Sequence, residues 1–302
     1  MKIISNLHAK LNRGEFAVTG ECGPPRGANK AVIDKKIKLL NGNVDAVNVT
    51  DNQTAIVRMS SIAASAHLVG AGLEPVMQMV VRDRNRIAIQ SDIMGAYSLG
   101  IRNILCLSGD HQKFGSQPDA MNVFDIDSVN LIRTVRDMRD SGKDMSGFEL
   151  DLAPEMFLGA AANPFADPFE YRVIRLAKKI DAGVDFIQTQ CIYNMDKFKE
   201  WIRRADNEGL TDKVYILGGV TPLRSAGMAR YMANKVAGMD IPEDVIKRMD
   251  SVDKKKQADE GIKICLETIE ELKEQTGVHG VHIMAIEWEE VVAEIVEKAG
   301  LK

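Results

Sequence analysis

Residues 176–190 read LAKKIDAGVDFIQTQ and contain, in order, a helix-like segment, a glycine and a strand-like run. The run from Val184 to Gln190 does not alternate strictly between apolar and polar residues, which is typical of a strand buried on both faces in a parallel sheet. Gly183 stands where the helix-like segment ends, a position that favours glycine because the backbone often turns left-handed there. This stretch predicts one helix–strand unit of a parallel α/β fold.

The same unit recurs along the whole chain. Eight strand-like runs, each followed by a helix-like stretch, occupy residues 16–22, 44–49, 74–79, 102–107, 155–160, 184–190, 213–219 and 280–286. Eight alternations predict an α/β fold of the (β/α)8 TIM barrel type. A doubly wound open sheet is the alternative, but no GxGxxG follows the first strand. We therefore predict a single (β/α)8 barrel domain over residues 1–302, with extra helices at about 237–276.

The composition narrows the class of protein. The chain has 302 residues, 45% of them hydrophobic, and a net charge of −4, so it predicts a sizeable core and no nucleic-acid partner. No run approaches the roughly 20 apolar residues of a membrane span, and the start MKIISNLHAK is unlike a signal peptide. Four widely spaced cysteines indicate neither a disulfide framework nor a zinc or iron–sulfur site within the chain. We expect an oligomeric, reduced, cytoplasmic enzyme.

Polar side chains stand at the ends of the predicted strands, where barrel enzymes carry their chemistry. They are Glu21, Thr50-Asp51-Asn52, Gln78, Ser108-Gly109-Asp110-His111, Ala162-Asn163-Pro164, Gln188, Gln190, Gly218-Gly219 and Glu287. The segment VTGECGPPRG (18–27) places Glu21 just before two prolines, which would hold the acid on a rigid rim. The sequence therefore predicts a polar pocket at one mouth of the barrel.

Residue types alone leave the chemistry of this pocket open. Glu21, Asp51 and Asp110 could bind Mg²⁺ or Mn²⁺, as in a metal-dependent barrel lyase or aldolase. One of them could instead be a general acid among orienting groups. No lysine ends a strand, which disfavours a Schiff-base aldolase. Arg175 with Lys178 or Lys179 could present positive charge to a phosphate, or form an ordinary solvated helix face.

An ordered set of motifs resembles the methylenetetrahydrofolate reductase family. The set is E-x-x-P-P-R (21–26), V-N-V-T (47–50), L-S-G-D (107–110), L-A-K-K-x-D-A-G (176–183) and T-Q (189–190), and the match runs from about residue 14 to residue 300. The short bacterial form, without the regulatory domain of the eukaryotic enzymes, is the most similar. The resemblance implies a flavin at the barrel mouth and reduction of 5,10-methylenetetrahydrofolate to 5-methyltetrahydrofolate.

The resemblance also implies residue roles. Glu21 matches the proton donor, Asp110 an aspartate near flavin and pterin, and Gln190 a folate-binding glutamine. The flavin contacts of the family match Thr50, Ser108, Gly109, Asn163 and Lys179, together with Asp110.

Three departures from the family pattern bear on the cofactor and the electron donor. Ser108 replaces an arginine that helps hold FAD, which leaves FAD and FMN both open. Asn163 stands for a tyrosine, and Ala226 for a phenylalanine that stacks on nicotinamide. The chain is most similar to reductases of anaerobic one-carbon metabolism, some of which take electrons from an iron–sulfur partner subunit. A non-catalytic pterin-binding subunit is a further alternative.

Overall fold

The computed structural model describes residues 2–236 and 238–302, and its eight parallel strands close into a barrel in the order β1 to β8. The strands are β1 Ala17–Cys22, β2 Ala46–Val49, β3 Pro75–Val80, β4 Asn103–Leu107, β5 Phe157–Ala162, β6 Phe186–Cys191, β7 Tyr215–Val220 and β8 Gly280–Ile283. The predicted (β/α)8 barrel is confirmed.

Helices surround the barrel, except for the first, which packs against its amino-terminal end. They are α1 Asn6–Asn12, α2 Lys30–Leu40, α3 Ser61–Gly70, α4 Arg86–Ser98, α5 Ser128–Ser141, α6 Tyr171–Ala182, α7 Met195–Asn207, α8 Ala226–Lys235, α9 Glu243–Asp250, α10 Gln257–Glu274 and α11 Val292–Lys298. Helix α10 packs against β7 and β8 as their crossover, and α8 and α9 precede it. Among the described residues, no helix is both long enough and apolar enough to cross a membrane.

The first seven strands begin one or two residues later than the sequence pattern indicates, and β8 begins at Gly280 as predicted. The fifth predicted run starts at Glu155, but this residue lies outside the barrel in an ion pair with Lys2, and β5 begins at Phe157. Strand β6 continues to Cys191, so Gln190 is a strand residue, and β8 already ends at Ile283. The pattern of buried residues alone does not predict where a strand begins or ends, because pairing with the neighbouring strands decides this.

The Gly183 prediction has a steric basis in the folded chain. Gly183 ends α6 with a φ of +105°, a left-handed conformation. A Cβ atom there would lie 2.4 Å from the Arg136 side chain. Both the backbone and the neighbouring helix therefore require glycine at this junction.

The amino-terminal half of the barrel interior is apolar and closed. Leu7 and Leu11 of α1 pack onto inward side chains that include Phe157 and Phe186, whose rings stack at 4.9 Å. Gly159 makes room for the Phe186 ring, because a Cβ atom would lie 2.2 Å from it. This packed floor directs ligand binding to the carboxyl-terminal mouth.

Candidate active site

Glu21 lies at the mouth, near the carboxyl end of β1, with 9% of its side chain exposed. Its Oε2 atom is 3.9 Å from Nε2 of His282 on β8. The other nitrogen of that imidazole, Nδ1, lies 3.0 Å from Oγ1 of Thr19. Thr19 and Glu21 are two residues apart and therefore project to the same side of β1. His282 thus links two inward positions of a single strand.

A polar network extends this arrangement across the barrel. Gln188 on β6 donates from Nε2 to Thr19 Oγ1 at 3.2 Å, and it exchanges two hydrogen bonds with Asn48 on β2, at 2.5 and 3.0 Å. Thr19, Asn48, Gln188 and His282 are all buried. Buried polar groups that satisfy one another hold their side chains in fixed positions. The network therefore forms a rigid polar layer directly below Glu21.

Thr50 offers an unused hydrogen-bonding group at the same mouth. The residue is 2% exposed, and its Oγ1 atom has no hydrogen-bond partner among the described residues. A buried hydroxyl without a partner carries a free-energy cost, which a bound ligand can remove. The position next to the end of β2 therefore suits a contact with a polar cofactor.

Asp110 is held at the root of the loop after β4. Its Oδ2 atom accepts a hydrogen bond from the Thr54 N–H at 3.1 Å, and its carbonyl oxygen accepts one from Arg82 Nη1 at 2.9 Å. Gly109 precedes it with a φ of +85°, and a Cβ atom there would lie 3.0 Å from Val80. The close approach to β3 requires a glycine, so Gly109 fixes the path on which Asp110 lies.

Arg82 is a site residue that sequence reasoning missed. It is 3% exposed, pairs with Asp83 at 2.7 Å, and donates to the carbonyl groups of Asp110 and Asn52. A buried arginine with these partners ties the loop after β2 to the loop after β4. The sequence contained a weak signal, since Arg82 follows an apolar strand at the mouth.

Backbone strain is concentrated in the same region. Asn52, Thr54 and Ala55 after β2 have φ values of 44°, 57° and 54°, and Glu287 after β8 has a φ of 52°. Left-handed conformations are costly for residues other than glycine and occur often at ligand sites. The three residues after β2 lie beside Asp110. Glu287 follows β8, the strand next to the one that carries Glu21.

Asp51 has a different role from Glu21 and Asp110. Its side chain is fully buried in an ion pair with Arg84, with an Nη1–Oδ2 distance of 2.6 Å, and Oδ2 also accepts from the Val80 N–H at 3.0 Å. Within the described part of the chain, no group of three or more His, Cys, Asp or Glu side chains is arranged to hold a metal ion. The metal-lyase interpretation therefore has no support from this site.

The other substrate and cofactor candidates also lie near the mouth. Gln190 is half-buried near the end of β6, and its Oε1 atom accepts from the Cys191 N–H at 3.0 Å. Ser108 donates to Ser128 at 3.1 Å, and Asn163 donates to the Gly238 carbonyl at 3.1 Å. The Asn163 amide thus joins the end of β5 to the segment between α8 and α9.

Lys179 is a buried lysine on α6 whose ammonium group donates to the Ala161 carbonyl of β5. Burial, and to a smaller degree the charge of Arg175, lowers the pKa of Lys179 to about 8. Lys178 is exposed and lies over the Tyr171 ring at 5.8 Å. The two adjacent lysines therefore face different environments, and only Lys179 reaches the strand end.

Ala226 begins α8 and is 2% exposed, packed in an apolar cluster with Leu223 and Met232. Its N–H donates to Gln257 Oε1 at 3.0 Å. Tyr231, on the same helix, is 63% exposed. Ala226 therefore presents no ring at the mouth.

Fold and site define a (β/α)8-barrel protein with a buried carboxylate and an unsatisfied hydroxyl at the carboxyl ends of its strands. The chain belongs to the methylenetetrahydrofolate reductase family, whose model matches residues 6–300. This membership confirms the resemblance drawn from the motifs.

Curated relatives carry the name of the family, and a solved structure shares the fold. A Caenorhabditis elegans protein named probable methylenetetrahydrofolate reductase (NADPH) is 23% identical over 92% of this chain and 41% of its own length. The Salmonella typhimurium 5,10-methylenetetrahydrofolate reductase is 24% identical over 54% of this chain and 49% of its own length. The chain thus spans about half or less of either relative. A Clostridium thermocellum protein described as binding two copies of 5-methyl-5,6,7,8-tetrahydrofolic acid has the same fold, with a TM-score of 0.66, 18% identity and coverage of 98% and 97%.

Proposed function

We propose that this protein reduces 5,10-methylenetetrahydrofolate to 5-methyltetrahydrofolate at the carboxyl-terminal mouth of its barrel. Family membership over residues 6–300 supports the reaction class. The single observation that carries the mechanism is Glu21, a carboxyl group 9% exposed at the mouth and positioned beside His282. A flavin, when bound, supplies the hydride.

Glu21 is the proton donor in this proposal. Opening the five-membered ring of the substrate requires a proton on the leaving nitrogen, and this leaves an iminium carbon that can accept hydride. A carboxylic acid in a fixed position can deliver that proton. Gln188 donates to Thr19, and Thr19 contacts His282, so this network fixes the imidazole that lies beside Glu21. Gly23 follows Cys22 and leads into Pro24 and Pro25. The Pro24 carbonyl accepts a hydrogen bond from Arg58, and the Pro25 carbonyl accepts one from the Met59 N–H, each at 2.9 Å.

Asp110 and Gln190 orient the pterin ring in this proposal. The Asp110 carboxylate can accept hydrogen bonds from pterin N–H groups, and the Gln190 amide can both donate and accept. The negative charge of Asp110 also disfavours further negative charge on a reduced flavin and so lowers its potential. In this proposal Asp110 therefore acts on both the pterin of the substrate and the flavin.

Five other residues hold the flavin in this proposal. Thr50 contributes its unpaired hydroxyl and Lys179 a positive charge near the phosphate portion. Gly109 lets the chain pass close to Val80 and so sets the path of the backbone at the flavin site. Ser108 and Asn163 line the strand ends beside them. Because Ser108 supplies no cation for a dinucleotide, both FAD and FMN satisfy this arrangement.

We further propose that an iron–sulfur partner protein, rather than a nicotinamide, reduces the flavin. Ala226 is buried and has no aromatic ring that could stack on nicotinamide. Stopped-flow flavin bleaching tests this step. Reduced viologen should act much faster than NADH or NADPH on the isolated chain, and rapid saturable reduction by NADH at micromolar concentration would refute the partner.

A single-turnover experiment tests the reaction itself. The purified protein should carry a flavin that mass spectrometry identifies after release. Photoreduced protein mixed anaerobically with methylenetetrahydrofolate should reoxidise its flavin and form one equivalent of 5-methyltetrahydrofolate. A colourless protein that does not take up flavin would overturn the proposal. Flavin and folate binding without reoxidation would identify a non-catalytic pterin-binding subunit.

A further inference from the structure

A buried ion pair joins α2 to the short 3₁₀ turn Glu289–Val291 that follows β8. Nζ of Lys36 lies 2.5 Å from Oε1 of Glu289, and the two side chains are 13% and 7% exposed. The neighbouring pair, Lys35 with Glu290, connects the same two segments at 3.2 Å but is 72% and 51% exposed. Burying two charges carries a desolvation cost, so the inner pair calls for an explanation that the outer pair does not.

The inner pair lines a small cavity that Glu21 also lines. The volume of this cavity is about 20 Å³, and its charged lining residues are Glu21, Lys36, Arg58, Glu287 and Glu289. One water needs roughly 10–15 Å³ and two to four polar partners. The cavity therefore suits a single water placed between the carboxyl groups of Glu21 and Glu289.

A larger cavity of about 330 Å³ adjoins the small one between α2 and the segment after β1. Lys36, Arg58 and Glu289 line both cavities, and the exposed Lys35 lines the larger one. Glu289 thus lies where a passage from solvent meets the space beside Glu21.

Glu289 has one carboxylate oxygen available at this junction. Its Oε1 atom accepts a hydrogen bond from Lys36, whereas Oε2 has no hydrogen-bond partner in the described part of the chain. A carboxylate oxygen can take up a proton and release it again. His282 also lies close to Glu21, but its side chain is 4% exposed and lines neither cavity. Of these two neighbours of Glu21, Glu289 is the one connected to solvent.

We propose that Glu289 relays a proton from solvent to Glu21 after each turnover. This inference rests on the proposed function, since it assumes that Glu21 protonates the folate and that the bound pterin covers Glu21 from the mouth. Glu21 must then recover its proton from another direction. The two adjoining cavities provide that direction.

The relay transfers one proton and changes no oxidation state. Glu21 gives its proton to the leaving nitrogen of the folate and becomes a carboxylate. Solvent protonates Oε2 of Glu289, this oxygen passes a proton to the water in the small cavity, and the water passes one of its own protons to Glu21. Glu289 returns to the carboxylate that pairs with Lys36, so the net change is one proton moved from solvent to Glu21.

Rapid-mixing kinetics over several turnovers tests the inference, with reduced viologen and methylenetetrahydrofolate both in excess. In Glu289→Gln the first equivalent of 5-methyltetrahydrofolate should form at nearly the unaltered rate, because Glu21 is protonated before the substrate covers it. Later turnovers should be slower by about ten- to a hundredfold and should slow further as the pH rises. A merely structural role would slow the first and the later turnovers alike, and that result would overturn the inference.

Glu290→Gln is the matched control, because Glu290 is the adjacent acid, pairs with a lysine of the same helix and does not line the small cavity. It should show no burst. Since removing one partner of a buried ion pair can destabilise the fold, the double variant Lys36→Met/Glu289→Gln removes both charges. This variant should show the same burst as Glu289→Gln, and normal later turnovers in it would contradict the relay.

Chemical rescue distinguishes a proton relay from a simple requirement for negative charge. Glu289→Ala leaves space for a small anion beside Lys36. Formate should restore the later turnovers with increasing concentration, because it brings a carboxylate that can carry a proton. Nitrate is a planar anion of similar size that does not bind protons at neutral pH, so it should not. Equal rescue by both anions would refute the relay.

The same experiment separates this inference from the proposed function. Repeated formation of 5-methyltetrahydrofolate by Glu289→Gln without a burst would refute the relay and leave the reductase intact. If the unaltered protein formed no 5-methyltetrahydrofolate even in the first turnover, the proposed function would fall and the relay with it.

Discussion

The imidazole of His282 lies between Thr19 and Glu21, with Nδ1 3.0 Å from Thr19 Oγ1 and Nε2 3.9 Å from Glu21 Oε2. Thr19 and His282 are register partners where β1 meets β8. The closing seam of the barrel therefore creates the contact. A histidine from the last strand therefore lies beside the candidate acid on the first strand.

Glu21→Gln should slow folate reduction by about 10²–10⁴-fold, because the amide cannot supply the proton. Flavin content and the rate of flavin reduction should stay close to those of the unaltered protein. Single-turnover mixing with methylenetetrahydrofolate measures the effect. Glu290→Gln, an exposed acid after β8, is the control, and near-normal folate reduction in Glu21→Gln would remove Glu21 from its role.

His282→Asn should lower kcat by roughly ten- to a hundredfold with little change in the KM for folate. The reason is that the asparagine is too short to reach Glu21, so the acid loses its positioning contact. The pH profile of kcat should shift as well, which a purely structural role would not produce. His67→Asn on α3 is the control, and a loss confined to KM would contradict the positioning role.

Asp110→Asn should raise the flavin potential and weaken folate binding, because one negative charge leaves the cofactor site. Asparagine can still accept the hydrogen bond from Thr54, so the loop should keep its path. Spectroelectrochemical titration and folate binding provide the measurements. Asp119→Asn, in the same loop and exposed, serves as control. If both quantities stayed constant, Asp110 would not be part of the site.

Flavin affinity should fall as the pH rises above about 8. The pKa of Lys179 is lowered to about 8, so the ammonium is charged below this value and loses its charge above it. Phosphate binding favours the charged form, and the loss of affinity can reach about tenfold per pH unit. Lys179→Met should abolish this dependence, and Lys178→Met should preserve it. A pH-independent flavin affinity in the unaltered protein would place Lys179 away from the phosphate.

The same pKa shift predicts the effect of Lys179 on folding. Its folded pKa is below the unfolded value of 10.5, so the unfolded chain binds more protons between about pH 8 and 10.5. The contribution of Lys179 to stability should therefore rise with pH across this window. Urea unfolding of the flavin-free protein and of Lys179→Met at pH 7.5 and 10 would measure the difference.

Asn48→Leu should destabilise the fold by about 1–3 kcal/mol, because it leaves the buried Gln188 amide without its reciprocal partner. The double variant Asn48→Leu/Gln188→Met should lose less unfolding free energy than the two single variants lose together. Urea denaturation of the four proteins completes the cycle. Strict additivity would show that the two amides do not act as a pair.

Much of the fold was readable in the sequence. The eight runs and their glycine junctions predicted a closed barrel, and the strand-end positions led to Glu21, Thr50, Asp110 and Gln190. These signals are local, since burial on both faces and a left-handed backbone each leave a trace within a few residues.

The partners of those residues were not readable. Asp51 had the same strand-end signature as Glu21, yet Arg84 holds it in a buried ion pair. Arg82 had the appearance of an ordinary loop cation, yet it ties two loops of the mouth together. Which cation meets which acid depends on how neighbouring loops pack, and a single sequence does not record that.

The sequence by itself determined the helix–strand units and the polar residues at the strand ends, because periodicity and burial act over short stretches of chain. Only the tertiary structure decided that Thr19 and His282, 263 residues apart, would meet. It also decided that Gln257 and Gly261 of α10 would lie against Ala226 and Leu223 after β7. Barrel closure brings the first and last strands together, and such long-range contacts follow from the register of all eight strands at once.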